Sequence, residues 1–120
     1  MSSPISTVLV CDDERAVVEV TAEMLRSLGL QVTTAGSARE AIDILEKLRF
    51  DLVMLDFNMP ELNGAEALSG MRKLHPELKV VIMSGQMVED VVDIFEGQVL
   101  HGFLMKPFCT SQLKGLVEQL

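Results

Sequence analysis

Five short runs of apolar and β-branched residues constrain the fold of this chain more than any other feature of its sequence. They cover residues 8–11, 32–35, 52–55, 80–83 and 102–105. Each is followed by a polar or turn-forming residue. Short unbroken runs of this kind, bounded by turn signals, predict strands that are buried on both faces of a sheet.

The segments between and after these runs have apolar residues at helical spacing. The first segment carries its predicted stripe on five apolar residues, namely Val17, Val20, Met24, Leu25 and Leu28. Ser37 and Glu40 form a capping box that predicts the start of a second helix. Further helices are predicted at residues 64–74, around 88–95 and up to Leu120, so strand and helix alternate five times.

This alternation predicts an α/β fold, with a five-stranded parallel sheet that is doubly wound with five helices. Right-handed crossovers leave few topologies, and the common flavodoxin-like strand order is 2-1-3-4-5. The length of 120 residues suits one domain. We expect residues 1–6 to form an N-terminal tail and residues 7–120 to form the domain.

The composition excludes several classes of function. The formal net charge of −8 and the absence of Trp and Tyr argue against direct binding to nucleic acid, which favours a basic face and stacking aromatics. No apolar run approaches the length of a membrane span, and the first residues do not form a signal peptide. These features predict a cytoplasmic protein without a membrane partner.

The cysteines and histidines do not form a recognisable site in the sequence. Cys11 and Cys109 lie far apart and lack the spacing of a zinc site or a disulfide framework, so we expect both to be small buried hydrophobic residues. His75 and His101 share no metal-ligand spacing. We expect both to lie on the surface or in loops.

The polar residues that could carry chemistry come where the predicted strands end. Asp12 and Asp13 follow the first run, Asp56 the third, Ser84 the fourth and Lys106 the fifth. Taken alone, Asp56 is equally well explained as the cap of the following turn. However, parallel strands have their carboxyl ends at one edge and lie about 4.8 Å apart, so these side chains can face one small volume.

The residue types at this edge indicate phosphoryl chemistry. Three carboxylates in one pocket repel one another unless one is protonated or a cation lies among them, and Mg²⁺ suits oxygen ligands. Lys106 could neutralise a phosphoryl group or pair with Asp56, and the Ser84 hydroxyl could donate to a phosphoryl oxygen. These parts suffice to form an aspartyl phosphate. The acids would repel the bare phosphate of a flavodoxin-type cradle.

Residues 7–120 resemble the receiver domain of two-component response regulators, the CheY-like domain of phosphorelay signal transduction. Four motifs carry the resemblance in chain order: Asp12-Asp13, Asp56 within Asp-Phe-Asn-Met-Pro, Ser84-Gly85, and Lys106-Pro107. Each motif is weak alone, and together they are highly specific. The resemblance also implies a cis Lys106–Pro107 peptide bond.

The resemblance implies a role for each matching residue. Asp56 would be the phosphoacceptor, assisted by Lys106 and Ser84. It would receive the phosphoryl group from a histidine kinase or a histidine phosphotransfer domain. The cofactor would be Mg²⁺, held by Asp13, Asp56 and the backbone carbonyl of Asn58, with Asp12 acting through a water molecule.

The resemblance further implies a conformational switch. Ser84 and Phe103 match the switch positions, although Phe103 replaces the more frequent Tyr, and Asn58 and Gln86 match positions that modulate hydrolysis of the acyl phosphate. Phosphorylation would change the surface of the fourth helix, the fifth strand and the fifth helix. That surface could also serve an output domain, a target protein or a dimer.

Two other functions remain as alternatives. A degenerate receiver could act as an interaction module that is independent of phosphorylation, but such domains usually lose an acid or the lysine, and none is lost here. A metal-dependent phosphatase would need an acid where this chain has Asn58. Whether to class the chain as an enzyme stays open. The domain would catalyse only its own phosphorylation and dephosphorylation, whereas a longer parent could be a hybrid sensor histidine kinase.

Overall fold

The structure is a computed structural model that describes residues 5–57, 64–85 and 99–120. Its sheet has five parallel strands in the order β2-β1-β3-β4-β5. The strands are β1 (Thr7–Cys11), β2 (Gln31–Ala35), β3 (Leu52–Asp56), β4 (Lys79–Ser84) and β5 (Gly102–Met105). The predicted fold class and strand order are confirmed.

The described part of the chain contains four helices, whereas the sequence predicts five. They are α1 (Arg15–Ser27), α2 (Ala38–Lys47), α3 (Gly64–Leu74) and α4 (Thr110–Gln119). The helix α4 is the fifth predicted helix. The fourth predicted helix, around residues 88–95, lies outside the described residues. The start of α2 follows the prediction, because the Ser37 hydroxyl accepts a hydrogen bond of 3.1 Å from the backbone N–H of Glu40.

The core lies on both faces of the sheet, because successive residues of each strand point to opposite faces. The first core cluster joins Leu9, Val53 and Ile82 of the sheet to buried residues of α2 and α3. The second core cluster joins Val8, Met54 and Met83 to buried residues of α1 and α4. Strands β1, β3 and β4 are therefore covered on both sides, as their apolar runs predict.

The buried face of α1 differs from the predicted stripe. Its buried residues are Val18, Thr21, Ala22 and Leu25, whereas Val20 is 51% exposed. The helix packs against β2 and α4, and Ala22 and Thr21 have short side chains that permit close approach. The predicted stripe is confirmed at Leu25, which is buried, and at Met24 and Leu28, which pack partly buried against the second core cluster, and it is wrong at Val20.

Asp51 ties the start of β3 to the start of β1. Its Oδ2 accepts hydrogen bonds from the backbone N–H groups of Ser6 (2.8 Å) and Thr7 (3.1 Å) and from both of their hydroxyls. Its own N–H donates to the Thr7 hydroxyl at 3.0 Å. The backbone hydrogen bond from Ser6 is the main reason why the pKa of Asp51 lies below its usual value, since its effect outweighs that of burial. These contacts fix the edge of the sheet opposite to Asp56.

The Asp51→Ala variant is expected to lose about 1 kcal/mol of unfolding free energy at neutral pH, because water replaces these hydrogen bonds only in part. A carboxylate whose folded-state pKa is lowered stabilises the native state above its unfolded pKa, here near 3.8. The difference from the wild type should therefore shrink as the pH falls below that value, through the lower folded-state pKa. Urea denaturation across this pH range measures it, with the exposed Asp43→Ala as control. A difference that is independent of pH would contradict the assignment.

Candidate functional site

The carboxyl edge of the sheet is held by hydrogen bonds that extend the strand pairing by one residue. The N–H of Asp12 donates to Ala35 O at 3.1 Å, that of Phe57 to Met83 O at 2.9 Å, and that of Lys106 to Ser84 O at 2.8 Å. The residues just beyond the strands therefore keep the register of the sheet. This edge positions the side chains that the sequence singles out.

Asp12, Asp13 and Asp56 form an acid cluster at this edge. One carboxylate oxygen from each lies within 4.8 Å of the other two. Asp12 and Asp56 are each only 1% exposed, whereas Asp13 is exposed. Oxygen donors at this spacing, with one side open to solvent, fit a hard divalent cation such as Mg²⁺.

The Lys106 ammonium bridges the two buried acids. Its Nζ lies 2.8 Å from Asp12 Oδ2 and 2.9 Å from Asp56 Oδ1, and its side chain is 16% exposed. Burial alone would lower the pKa of Lys106. The hydrogen bonds and charges of Asp12 and Asp56 act in the opposite direction and leave that pKa above its usual value. Lys106 is therefore a charged group at neutral pH and lies directly against Asp56.

Asp12 uses its two oxygens for two different partners. While Oδ2 binds Lys106, Oδ1 accepts a hydrogen bond of 2.9 Å from the backbone N–H of Glu14, just before α1. This contact was not predicted from the sequence, although an Asp side chain commonly accepts a hydrogen bond from the backbone N–H two residues later in a turn. It orients Asp12 toward Lys106 and leaves Asp13 as the exposed acid of the cluster.

The loop after β5 carries Lys106 into α4. The Lys106–Pro107 peptide bond is cis, as predicted. Cys109 caps α4, because its sulfur accepts from the backbone N–H of Gln112 while the Gln112 side chain accepts from the Cys109 N–H at 2.8 Å. The prediction that both cysteines are buried is right for Cys11 and wrong for Cys109, which is exposed. The first backbone N–H groups of a helix need an acceptor outside the helix, and here the Cys109 thiol provides one.

Ser84 and Phe103 lie on the same face of neighbouring strands. Phe103 pairs with Ile82 in the register of β4 and β5, and Ile82 lies two residues before Ser84. Ser84 is 4% exposed, and Phe103 packs partly buried against the first core cluster. The two predicted switch residues are thus brought together. The positions of Asn58 and Gln86 fall outside the described residues.

The two histidines lie in loops, as expected, and away from the acid cluster. A ring nitrogen of His75 lies 2.7 Å from Leu45 O, and His101 Nδ1 accepts a hydrogen bond of 3.1 Å from the Val80 N–H. Each imidazole ring is therefore hydrogen-bonded to a backbone group of another element. Across residues 5–57, 64–85 and 99–120, no helix has the length and apolar character needed to cross a membrane.

Comparison with known proteins gives a family and a set of relatives. The family model described as the response regulator receiver domain matches residues 8–118. The sensor kinase CckA of Brucella abortus is 36% identical over 117 residues, which cover 96% of this chain and 12% of that protein. The other curated relatives compared are also matched over less than half of their length.

Solved structures of similar fold cover almost the whole chain. The chemotaxis protein CheY4 of Vibrio cholerae has a TM-score of 0.88 at 25% identity, over 96% of this chain and 98% of that one. The response regulator TrrA of Thermotoga maritima, solved in complex with Mg²⁺ and BeF, has a TM-score of 0.81 at 26% identity, with the same coverage.

Proposed function

Since this chain belongs to the response regulator receiver domain family, we propose that it is a phosphoacceptor in two-component signal transduction, with Asp56 as the residue that is phosphorylated. The contact that carries this proposal is the Lys106 ammonium, 2.9 Å from Asp56 Oδ1 and 2.8 Å from Asp12 Oδ2. It holds a positive charge against a buried carboxylate beside two further acids. That combination suits a nucleophile whose product carries additional negative charge.

In the proposed reaction, an Asp56 carboxylate oxygen attacks the phosphorus of a phosphohistidine. An O–P bond forms, the N–P bond breaks, and the imidazole leaves with the electron pair of that bond. Lys106 and the Ser84 hydroxyl then face the phosphoryl oxygens. A hydrogen bond to a charged oxygen is stronger than one between neutral groups, so phosphorylation draws the Ser84 hydroxyl toward Asp56.

Mg²⁺ fits the acid cluster, and we assign Asp13 and Asp56 as its direct ligands, with Asp12 acting through water. When bound, it would neutralise charge on the phosphoryl oxygens. Asp13 is exposed and Asp12 is hydrogen-bonded to Lys106 and Glu14, so Asp13 has the carboxylate that is readier to bind. The backbone carbonyl of Asn58 completes the assignment.

The proposed partner is a histidine kinase or a histidine phosphotransfer domain. The relative CckA is named a sensor kinase, and this chain matches a small part of it, so a place within a hybrid kinase or a larger regulator is consistent with the proposal. An output domain, target protein or second copy would then respond to the switch at Ser84 and Phe103. The proposed location is the cytoplasm.

The proposal is tested by phosphorylation of the purified domain. Incubation with acetyl phosphate and Mg²⁺ should add one phosphoryl group, measured by intact mass, and the group should be lost on removal of the donor. Fragmentation should locate it on Asp56. A domain that takes up no phosphoryl group from either acetyl phosphate or a phosphorylated histidine partner would instead be an interaction module.

The metal assignment predicts that Asp13→Asn weakens Mg²⁺ binding by at least about tenfold, because even the loss of an outer-shell partner of a metal ligand costs that much. Mg²⁺ should raise the melting temperature of the wild type, because it binds the native state, and should raise that of the variant much less. Glu14→Gln is the matched control, since Glu14 is the neighbouring exposed acid outside the cluster. Equal Mg²⁺ dissociation constants for the wild type and Asp13→Asn would contradict the site.

A further inference from the structure

Phe57 directly follows Asp56 and lies beside Ser84. The pairing of β3 with β4 ends at Asp56 and Met83, and the Phe57 N–H donates to Met83 O at 2.9 Å. In a pair of parallel strands, a residue whose N–H donates to Met83 O is paired with the residue that follows Met83, which is Ser84. Phe57 and Ser84 are therefore neighbours across the two strands.

The Phe57 side chain is on the same face of the sheet as Ser84. Leu55 and Ile82 belong to the first core cluster, and residues two positions further along a strand return to the same face. Phe57 is itself packed partly buried against that cluster. Neighbouring strands are about 4.8 Å apart, so the Phe57 and Ser84 side chains leave the backbone side by side on this face.

Two aromatic residues, Phe57 and Phe103, share the face of the sheet on which Ser84 lies. Phe57 lies on the side toward β3. On β5, Ser84 pairs with Met105, and Phe103 lies two residues before Met105, where it pairs with Ile82. Asp56 ends β3 and points to the opposite face from Phe57, because the two residues are consecutive and the Phe57 N–H continues the ladder by one residue. A Ser84 hydroxyl that moves toward Asp56 must therefore move toward the strand that carries Phe57.

From this arrangement we propose that Phe57 is a positioning residue of the switch. Its ring holds the Ser84 hydroxyl away from β3 in the unphosphorylated protein and so sets the free energy of the shift toward Asp56. A serine side chain has three staggered rotamers, and a bulky neighbour on one side disfavours the rotamer that points there. The inference rests on the proposed function, because it concerns the movement that phosphorylation of Asp56 would drive.

The test compares Phe57→Leu with Phe50→Leu by NMR of the unphosphorylated, metal-free protein. Phe50 is a matched control, because it is also partly buried against the first core cluster but precedes β3 at the opposite edge of the sheet. The wild type with Mg²⁺ and beryllofluoride defines the amide shifts of the switched state. In Phe57→Leu, the Ser84 and Phe103 amides should move along the line toward that state. The switched population should rise by about two- to thirtyfold, the range seen for mutations that alter coupling.

The control and a conservative variant make the outcome decisive. Phe50→Leu should leave the Ser84 and Phe103 amides in place, and Phe57→Tyr, which keeps the ring, should restore the wild-type shifts. If both leucine variants move these amides equally, the effect is general loosening of the core and the inference is wrong. Unmoved amides in a Phe57→Leu protein that is still phosphorylated on Asp56 would also overturn it. Failure of the wild type to be phosphorylated would instead overturn the proposed function.

Discussion

The Asp56→Asn variant is expected to take up no phosphoryl group from acetyl phosphate under conditions in which the wild type is labelled. The amide that replaces the carboxylate has no nucleophilic oxygen comparable to an ionised acid. Neither neighbouring acid can substitute for it. Asp12 is buried and bound to Lys106 and Glu14, and Asp13 is exposed without a lysine beside it among the described contacts. Intact-mass measurement gives the result directly.

The matched control for this variant is Asp51→Asn, at the other end of the same strand. Asp51 directly precedes β3 and Asp56 ends it, so each change removes one carboxylate charge at one end of this strand. Asp51→Asn should be labelled as the wild type is. Full labelling of Asp56→Asn, with fragmentation placing the group on another residue, would move the nucleophile elsewhere. Thermal unfolding of each variant shows that the comparison is made on folded proteins.

The Lys106→Met variant is expected to lower the unfolding free energy by about 3 kcal/mol in metal-free buffer, because it leaves buried carboxylates without their cation. The Asp12 and Asp56 side chains are 0% and 1% exposed, so water screens their repulsion poorly. Methionine keeps most of the length and volume of the lysine stem. Urea denaturation at neutral pH measures the loss.

Two further measurements distinguish unpaired buried charge from an ordinary packing defect as the cause of this loss of stability. Adding Asp12→Asn to Lys106→Met should recover part of the stability, since one of the two unpaired charges is removed. Addition of Mg²⁺ should also recover part of it, because a cation again lies among the acids. Lys114→Met, an exposed lysine on α4, is the control and should change stability little. A Lys106→Met protein as stable as the wild type would show that the bridge contributes nothing.

The sequence predicts the location of the site because it depends on topology more than on detail. Once the runs that end at Cys11, Leu55, Met83 and Met105 are recognised as parallel strands, the polar residues after them must share one edge. Local sequence patterns are less reliable where tertiary packing determines which residues of a helix are buried. The predicted stripe of α1 includes the exposed Val20 and omits the buried Thr21 and Ala22, because a hydrophobicity count gives such small residues little weight.

Other features of the site depend on contacts that cannot be deduced from sequence spacing. Lys106 could have paired with Asp56 alone, and only the packed structure shows that it bridges Asp12 as well. The position of Phe57 beside Ser84 follows from the register of β3 with β4. Register is set by how whole strands pack, so the motif Asp-Phe-Asn-Met-Pro gives no indication of this neighbour.

Of the two cysteines, Cys11 is buried and Cys109 is exposed, so a thiol reagent should modify the protein at Cys109 alone. Burial raises the pKa of Cys11 to about 12, and its thiol lies in the core. Cys109 is exposed, and its hydrogen bond with Ser111 is the main reason why its pKa is lowered. Thiolates react with alkylating dyes far faster than thiols do. A maleimide fluorophore would therefore attach at Cys109, three residues along the chain from Lys106, and would provide an optical reporter in a protein that has no tryptophan or tyrosine of its own.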